Sequence, residues 1–400
     1  MMRRPWGVLL VLLLAAGAIA CNAPAAAPPS ASSSAPGAGA AATGSGAPAV
    51  TGVPAGPAVA GASGTGAGAA GAAAPAAAQE PIVVKVGSQQ VAGNAGIYIA
   101  QDKGYFAEQG LDVQYVDVGL TTQMIPPLAA GQVDAVAVGL LAGTFNAIAR
   151  GTGIHLVADS GEVSPDPANG FSSAFMFMVA KDTLESGRIR EFADLKGKIY
   201  GTTGSGGSTP ELVLDRALRG AGLTLADIDS RAMTFADLPQ AVANKSVDFA
   251  LGVEPFIALG EARDIWVRWK SPTDIYPGAQ IAALLYGPTM DAAGPDAGKR
   301  FATAYTRGLR DYYEAFGPHA KNRAEMVSIL VNNTAVKEPA LYDRMSWNYV
   351  NPNCSVNLQT LANDLEWYAG KGYVPLLDIK QVVDNSYCEY AVQQLGPYPQ

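Results

Sequence analysis

The residues with most capacity for chemistry lie in the run 201–211, Gly-Thr-Thr-Gly-Ser-Gly-Gly-Ser-Thr-Pro-Glu. A strand-like Lys198-Ile199-Tyr200 precedes it, and behind it Val213, Leu214, Ala217, Leu218 and Ala221 recur at helical spacing. Thr209 suits the N-cap and Pro210 the first helical position, where a missing N–H costs nothing. Glycines allow close backbone approach, and the first helical turn carries free N–H donors. Such an end can hold an anionic or strongly accepting group. The run lacks the Gly-Lys-Ser/Thr ending of a P-loop and the glycine spacing of a dinucleotide fingerprint. An ordinary strand–helix turn is the alternative.

Acid–base and metal chemistry have little else to draw on. The two histidines are His155, in the apolar run Ile154-His155-Leu156-Val157, and His319, after Gly317-Pro318. Neither stands in a metal-ligand pattern with cysteines, and no cofactor or metal is expected. Cys354 and Cys388 are the only cysteines beyond Cys21. In an oxidising compartment the pair suggests a disulfide, a loop closure worth roughly 3–4 kcal/mol; two free buried thiols are the alternative.

The elements that must position these residues begin far from the start of the chain. Residues 1–20 carry Arg3 and Arg4, an apolar run from Trp6, and small residues up to Cys21, the pattern of a secretory signal. Residues 22–79 hold no charge and are nearly all Ala, Gly, Pro, Ser and Thr. Such a stretch buries too little apolar surface to offset its ordering entropy, so 21–80 reads as a tether spanning on the order of 40 Å. No later segment is long and apolar enough to span a membrane. Without Arg3 and Arg4 the formal charge goes from −8 to −10, 25 basic against 35 acidic residues. That balance argues against nucleic acid or an anionic membrane surface as partners.

From about residue 81 strands and helices alternate, which calls for mostly parallel sheets. Residues 82–86 form a strand, followed by the polar turn Gly87-Ser88-Gln89-Gln90 and a helix capped by Asn94. Val133-Asp134-Ala135-Val136-Ala137-Val138 is a near-continuous apolar strand of the doubly covered kind. The pattern restarts after 181, and Val247-Asp248-Phe249-Ala250-Leu251 takes the place of the Val133 strand. The two passages, Ala130-Gly131-Gln132-Val133-Asp134-Ala135 and Asn244-Lys245-Ser246-Val247-Asp248-Phe249, fit two lobes on one plan. Helices dominate from 299, ending with one over 380–395, and would wrap the first lobe.

These motifs resemble the periplasmic solute-binding proteins of ABC importers, in the branch that handles sulfonates, nitrate, taurine and thiamine-type pyrimidines. The carrying passages are Ile99-Ala100-Gln101-Asp102-Lys103-Gly104-Tyr105-Phe106, Leu128-Ala129-Ala130-Gly131-Gln132-Val133-Asp134-Ala135 and Asp194-Leu195-Lys196-Gly197-Lys198 with the glycine loop. Val253-Glu254-Pro255-Phe256 and Val383-Asp384-Asn385-Ser386-Tyr387 complete them. The resemblance implies an α/β, two-lobed type II binding-protein fold with the ligand in the cleft. The expected lobes are 81–181 with 272–400, and 182–271. Carried over by position, ligand contacts fall on Ser88, Gln89, Asn94, Gly139 and Leu140 in the first lobe. In the second they fall on Ser205, Gly207, Ser208, Thr209 and Glu254. Many relatives have Trp where this chain has Val253; Trp347, Tyr286 or Phe256 are the candidate replacements, and core positions the alternative for each. Glu254 reads otherwise as a surface-turn carboxylate. Ala18-Ile19-Ala20-Cys21 resembles a lipobox, which implies lipid on Cys21, with a plain secretory signal as the alternative.

The same fold hosts a pyrimidine-precursor synthase that uses a cysteine-rich iron motif, which this chain does not have. The resemblance thus implies a monomeric, lipid-anchored, extracytoplasmic binding protein that hands a small solute to an importer permease. A helix N-terminus facing Glu254 would suit a zwitterion such as taurine, or a pyrimidine with a ring N–H, over nitrate.

Overall fold

The computed structural model describes residues 80–118, 121–204 and 206–399. The signal segment, Cys21, the tether and Ser205 lie outside the described residues.

Among the described residues ten strands form two five-stranded sheets. They are β1 (Ile82–Ser88), β2 (Leu111–Asp117), β3 (Ala135–Gly139), β4 (His155–Glu162), β5 (Phe175–Val179), β6 (Ile199–Thr202), β7 (Asp229–Ala232), β8 (Phe249–Val253), β9 (Val267–Lys270) and β10 (Gln280–Tyr286). In the first sheet β1 lies parallel between β2 and β3, and β10 runs antiparallel between β3 and β4. In the second, β6 lies parallel between β7 and β8, and β5 runs antiparallel between β8 and β9. The two sheets share one plan.

The repeated aspartates explain why the sequence echoes itself. Asp134 Oδ2 accepts from the Lys85 N–H at 2.8 Å, and the Asp134 N–H donates to Lys85 O at 2.8 Å. Asp248 makes the same pair of bonds with Ile199, both at 2.8 Å. Each carboxylate satisfies a backbone donor of the parallel neighbour just before the regular ladder begins. The all-apolar strands β5 and β8 are buried along their whole length, as doubly covered strands must be.

One expected boundary moves. The expected first lobe includes 81–181, but β5 pairs with β8 and β9 in the second sheet. Its run Phe-Met-Phe-Met-Val has no polar face to leave toward solvent, and it fills a central place. The chain therefore crosses between the sheets over 163–174 and returns over 271–279. These two crossovers pair with each other, Val163 N donating to Ala279 O at 2.9 Å and Gly278 N to Val163 O at 3.0 Å.

The C-terminal helices cover the first sheet. Phe301, Leu309 and Tyr312 of helix Ala297–Phe316 share a core with Val84, Val86 and Ile97. Leu361, Leu365 and Tyr368 of helix Leu358–Gly370 pack with Val138, Phe145 and Leu285. The helix expected over 380–395 is interrupted, leaving Ile379–Val382 and Ser386–Leu395. Between them the backbone turns to the sheet, with Val383 bridged to Leu156 and Asp384 N donating to Leu156 O at 2.9 Å. A Cys354–Cys388 disulfide, Cα atoms 5.7 Å apart, joins that last helix to the segment whose Cys354 O accepts from Asp159 N of β4.

Candidate functional site

The parallel strands of both sheets end at one cleft. Gln89 follows β1, Leu140 follows β3, Thr203 follows β6, and Val253 ends β8; all four line it. Ligands in open α/β sheets bind at such carboxyl ends. The enclosed space is small, about 40 Å³, where one water takes about 10–15 Å³. The cleft suits a compact molecule. No described residue that lines it carries a charge. Its walls are aliphatic and aromatic, with the Phe175 and Phe235 ring centroids 6.2 Å apart. The polar groups are the amides Gln89, Asn94 and Asn348 and the hydroxyls of Thr121, Thr203 and Ser208.

Of the contacts that the resemblance implies, Gln89, Asn94, Gly139, Leu140 and Ser208 line this cleft. Gln89 reaches Thr121 Oγ1 at 3.3 Å. Asn94 is 5% exposed, and its side chain also interacts with the Tyr98 hydroxyl behind the turn. Ser208 is the N-cap of helix Thr209–Gly220: its Oγ accepts from Glu211 N at 3.3 Å and donates to Gly204 O at 2.8 Å. The cap is therefore one residue earlier than Thr209, because Ser208 keeps extended backbone angles while Thr209 is already helical.

Four expected contacts are placed otherwise. Ser88 hydrogen-bonds Tyr98 Oη at 2.7 Å and faces a separate groove with Gln90 and Tyr115, on the other side of the turn from Gln89. Gly207 and Thr209 do not line the cleft; they close it. Ala142 N donates to Gly207 O at 2.6 Å and Thr209 N to Leu140 O at 3.0 Å, so the glycine loop is zipped by main chain to the end of β3. Glu254 is fully buried and lies outside the cleft lining. Its Oε1 accepts from Arg268 Nη2 at 2.7 Å and Ser346 N at 3.1 Å, and its Oε2 from Ala258 N at 3.1 Å. Burial raises its carboxyl above the ordinary range despite the pull of the Arg268 guanidinium. With both oxygens engaged, Glu254 has nothing to offer a cationic ligand.

The helix end is also occupied. Glu211 in its first turn accepts from Gly207 N at 2.6 Å and from Tyr373 Oη at 3.0 Å. A carboxylate there complements the helix dipole from within the chain and repels a second anion. One turn on, Asp215 reaches across to the C-terminal segment. It accepts from Trp367 Nε1 at 2.8 Å and Lys371 Nζ at 2.9 Å, as well as from Arg219 on its own helix at 2.8 Å. Burial opposes its ionisation, but these donors outweigh it and hold the carboxyl below the ordinary range. The face Glu211–Asp215 of the second lobe is thus latched to Trp367, Lys371 and Tyr373 of the first.

Sequence reasoning missed Val91, Thr121, Phe175, Phe235 and Asn348. Phe175 and Phe235 supply aromatic walls at the side where Val253 stands. Phe235 follows β7, so the strand-end rule could have found it; Asn348 comes from a segment with no strand signal of its own. Of the candidates for the missing wall, Tyr286 and Phe256 lie in the cores, and Trp347 packs on Phe316 with ring centroids 3.7 Å apart.

Among the described residues no cluster of His, Cys, Asp and Glu suits a metal, and no helix is long and apolar enough to cross a membrane. Comparison with known proteins gives a curated relative, the 4-amino-5-hydroxymethyl-2-methylpyrimidine phosphate synthase of Schizosaccharomyces pombe, 26% identical over 158 residues. That match spans 40% of each chain. The fold matches solved solute-binding proteins. The periplasmic nitrate-binding protein NrtA of Synechocystis PCC 6803 gives a TM-score of 0.64 at 16% identity, over 79% of this chain and 90% of that one. The periplasmic aliphatic sulphonate binding protein SsuA of Escherichia coli gives 0.57 at 20% identity, over 76% and 92%. The architecture is therefore the two-lobed periplasmic-binding-protein fold. The family model described as "NMT1/THI5 like" matches residues 92–315, more than half of the chain, and the protein belongs to that family.

Proposed function

We propose that this chain is an extracytoplasmic binding protein, not an enzyme, that closes on a small uncharged heteroaromatic solute of the pyrimidine class and delivers it to an ABC importer. The observation that carries the reading is a compact cleft with no charged side chain, walled by Phe175 and Phe235 and edged by amides. A flat ring with polar edges uses such walls. Taurine, favoured by the sequence, loses its argument, since the carboxylate meant for its ammonium is paired with Arg268. Nitrate and simple sulfonates are disfavoured by Glu211 at the helix end. Lipid attachment at Cys21 and a monomeric state complete the proposal. Fractionation of wild type and Cys21→Ala, with mass analysis of the N-terminus, checks the anchor.

The test of ligand class is calorimetry and thermal unfolding with 4-amino-5-hydroxymethyl-2-methylpyrimidine, taurine, ethanesulfonate and nitrate. A ligand at about 100 times its Kd stabilises by roughly 2.7 kcal/mol. The pyrimidine is expected to bind; stabilisation by a sulfonate or nitrate without any by the pyrimidine overturns the reading.

A further inference from the structure

Ser88 faces a groove that takes no part in the solute cleft. It lies on the far side of the turn after β1 and holds about 330 Å³, the size of a small-molecule site. One wall is a pair of tyrosines: the Tyr98 and Tyr115 rings meet edge to face, with centroids 5.7 Å apart and 74° between planes. Tyr98 is 2% exposed and its hydroxyl is tied to Ser88 Oγ at 2.7 Å, whereas Tyr115 is 38% exposed, an aromatic surface left to solvent. Asp117, the last residue of β2, lines the same groove and makes no hydrogen bond or ion pair among the described residues. Burial raises the Tyr98 hydroxyl above its ordinary value, and the charge of Asp117 adds to the rise, so carboxylate and ring share one space. Gln90, Asn332 and Asn333 put amides on the rim, and Asn333 Nδ2 donates to a second carboxylate, Asp102 Oδ2, at 3.2 Å. No Lys, Arg or His lines the groove among the described residues. The cations close by in sequence are engaged elsewhere: Lys103 pairs with Asp311 and Glu325, and Lys337 donates to Val331 O and Asn332 O.

We propose that this groove is a second binding site, for a small methylated ammonium compound whose cationic head lies against Tyr98 and Tyr115 and beside Asp117. Aromatic rings attract a cation through their quadrupole, and the free carboxylate complements its single positive charge. A divalent metal would need several oxygen ligands and a primary ammonium three acceptors, but one unpaired carboxylate lines the groove and no metal-type cluster surrounds it among the described residues. A methylated head has no N–H to satisfy. An anion would meet Asp117 with no countercharge beside it. The site stands apart from the pyrimidine reading: groove and cleft share the turn over 88–90 but no lining residue.

Choline and its uncharged isostere 3,3-dimethylbutan-1-ol test it, titrated into the full mature chain at low salt, with saturation-transfer NMR reading the probes' methyl protons. Choline is expected to saturate with a Kd of about 1 mM or below, and the isostere to bind at least about fivefold more weakly. Asp117→Asn, at an exposed position, should bring the ratio to within about twofold of unity, and Tyr115→Leu should weaken choline by about fivefold. Phe235→Leu, a change in the solute cleft, should leave choline within about twofold of wild type. Glycerophosphocholine separates the two carriers of such a head: affinity within about twofold of choline's supports a lipid headgroup, and a loss of about tenfold supports the free cation. Absence of saturable choline binding overturns the proposal, as does a wild-type ratio kept in Asp117→Asn. A choline signal lost in Phe235→Leu would place the probe in the cleft and overturn it too. Failure of a pyrimidine to bind the cleft leaves this site as it stands.

Discussion

Replacing Asp215 by Asn should loosen the closed cleft without weakening either lobe. Its carboxylate is 1% exposed and holds Lys371 at 2.9 Å and Trp367 at 2.8 Å across the lobe boundary. The amide oxygen of Asn can still accept from Trp367, so the main loss is the charge-assisted bond to Lys371. Such bonds contribute about 1.5–3 kcal/mol. Lys371 is 23% exposed and recovers some hydration when released, which puts the loss near the lower end, about 1.5–2 kcal/mol. That shifts the opening equilibrium by roughly 10- to 30-fold. Native-state hydrogen exchange reads it without any ligand, because the Ala142 and Thr209 amides are protected by bonds that exist only while the lobes are closed. Protection at both should fall by that factor, while the Phe249 amide in the second lobe's core changes by less than about twofold. Unchanged protection at Ala142 and Thr209 would refute the latch. A parallel fall at Phe249 would show that Asp215 supports the lobe and not the closure. The donors hold the Asp215 carboxyl low, so the latch persists through neutral pH and loosens as pH falls below the ordinary carboxylate range.

Glu254→Gln should leave ligand affinity within twofold yet cost about 1–2 kcal/mol in urea unfolding, because a partly buried Arg268 loses one of its two carboxylate partners and keeps Glu261; a large affinity loss would return Glu254 to the site. Asp364, fully buried with one oxygen bonded to Tyr276 Oη and the other unpartnered, is pushed up to about 7 by burial, against the pull of Tyr276 and Arg216. The folded chain then keeps a proton that the unfolded chain releases near pH 4, so this group's contribution is fully present below pH 4 and is lost as pH rises to 7. Asp364→Asn should remove that slope, gaining about 2–4 kcal/mol on wild type between pH 4 and pH 8; parallel pH profiles would exclude it. Reducing Cys354–Cys388, which closes a sequence separation of 34, should lower stability by about 4 kcal/mol on the chain-entropy account, and two freely alkylated thiols in exported, non-reduced protein would remove the premise.

What the sequence made legible was local. The Asp134 and Asp248 echoes, the strand-end turns at Gln89 and Leu140, and the capped helix after the glycine loop all depend on neighbours within a few residues or on strand periodicity. The misreadings share the opposite property. Glu254 and Arg268 sit 14 positions apart in sequence, and nothing in either local pattern says that the strand bearing Arg268 returns to neutralise the carboxylate. Thr209 and Ser208 are equally good caps by composition; extended backbone at Ser208 decided between them, with Thr209 turned to Leu140 instead. An all-apolar run such as β5 carries no mark of which sheet it joins.

Gly207 has a consequence beyond its bond to Ala142. A Cβ built on it would come within 2.8 Å of both the Ala142 Cβ and Tyr373 Cδ2, and its φ of +102° already disfavours any side chain. The two jaws therefore meet at a hydrogen atom. One methyl group at that point would act as a doorstop, holding the mouth ajar while the binding wall of each lobe stays as built. Capture of the solute by one lobe and its enclosure by the other would become separable events, each measurable alone.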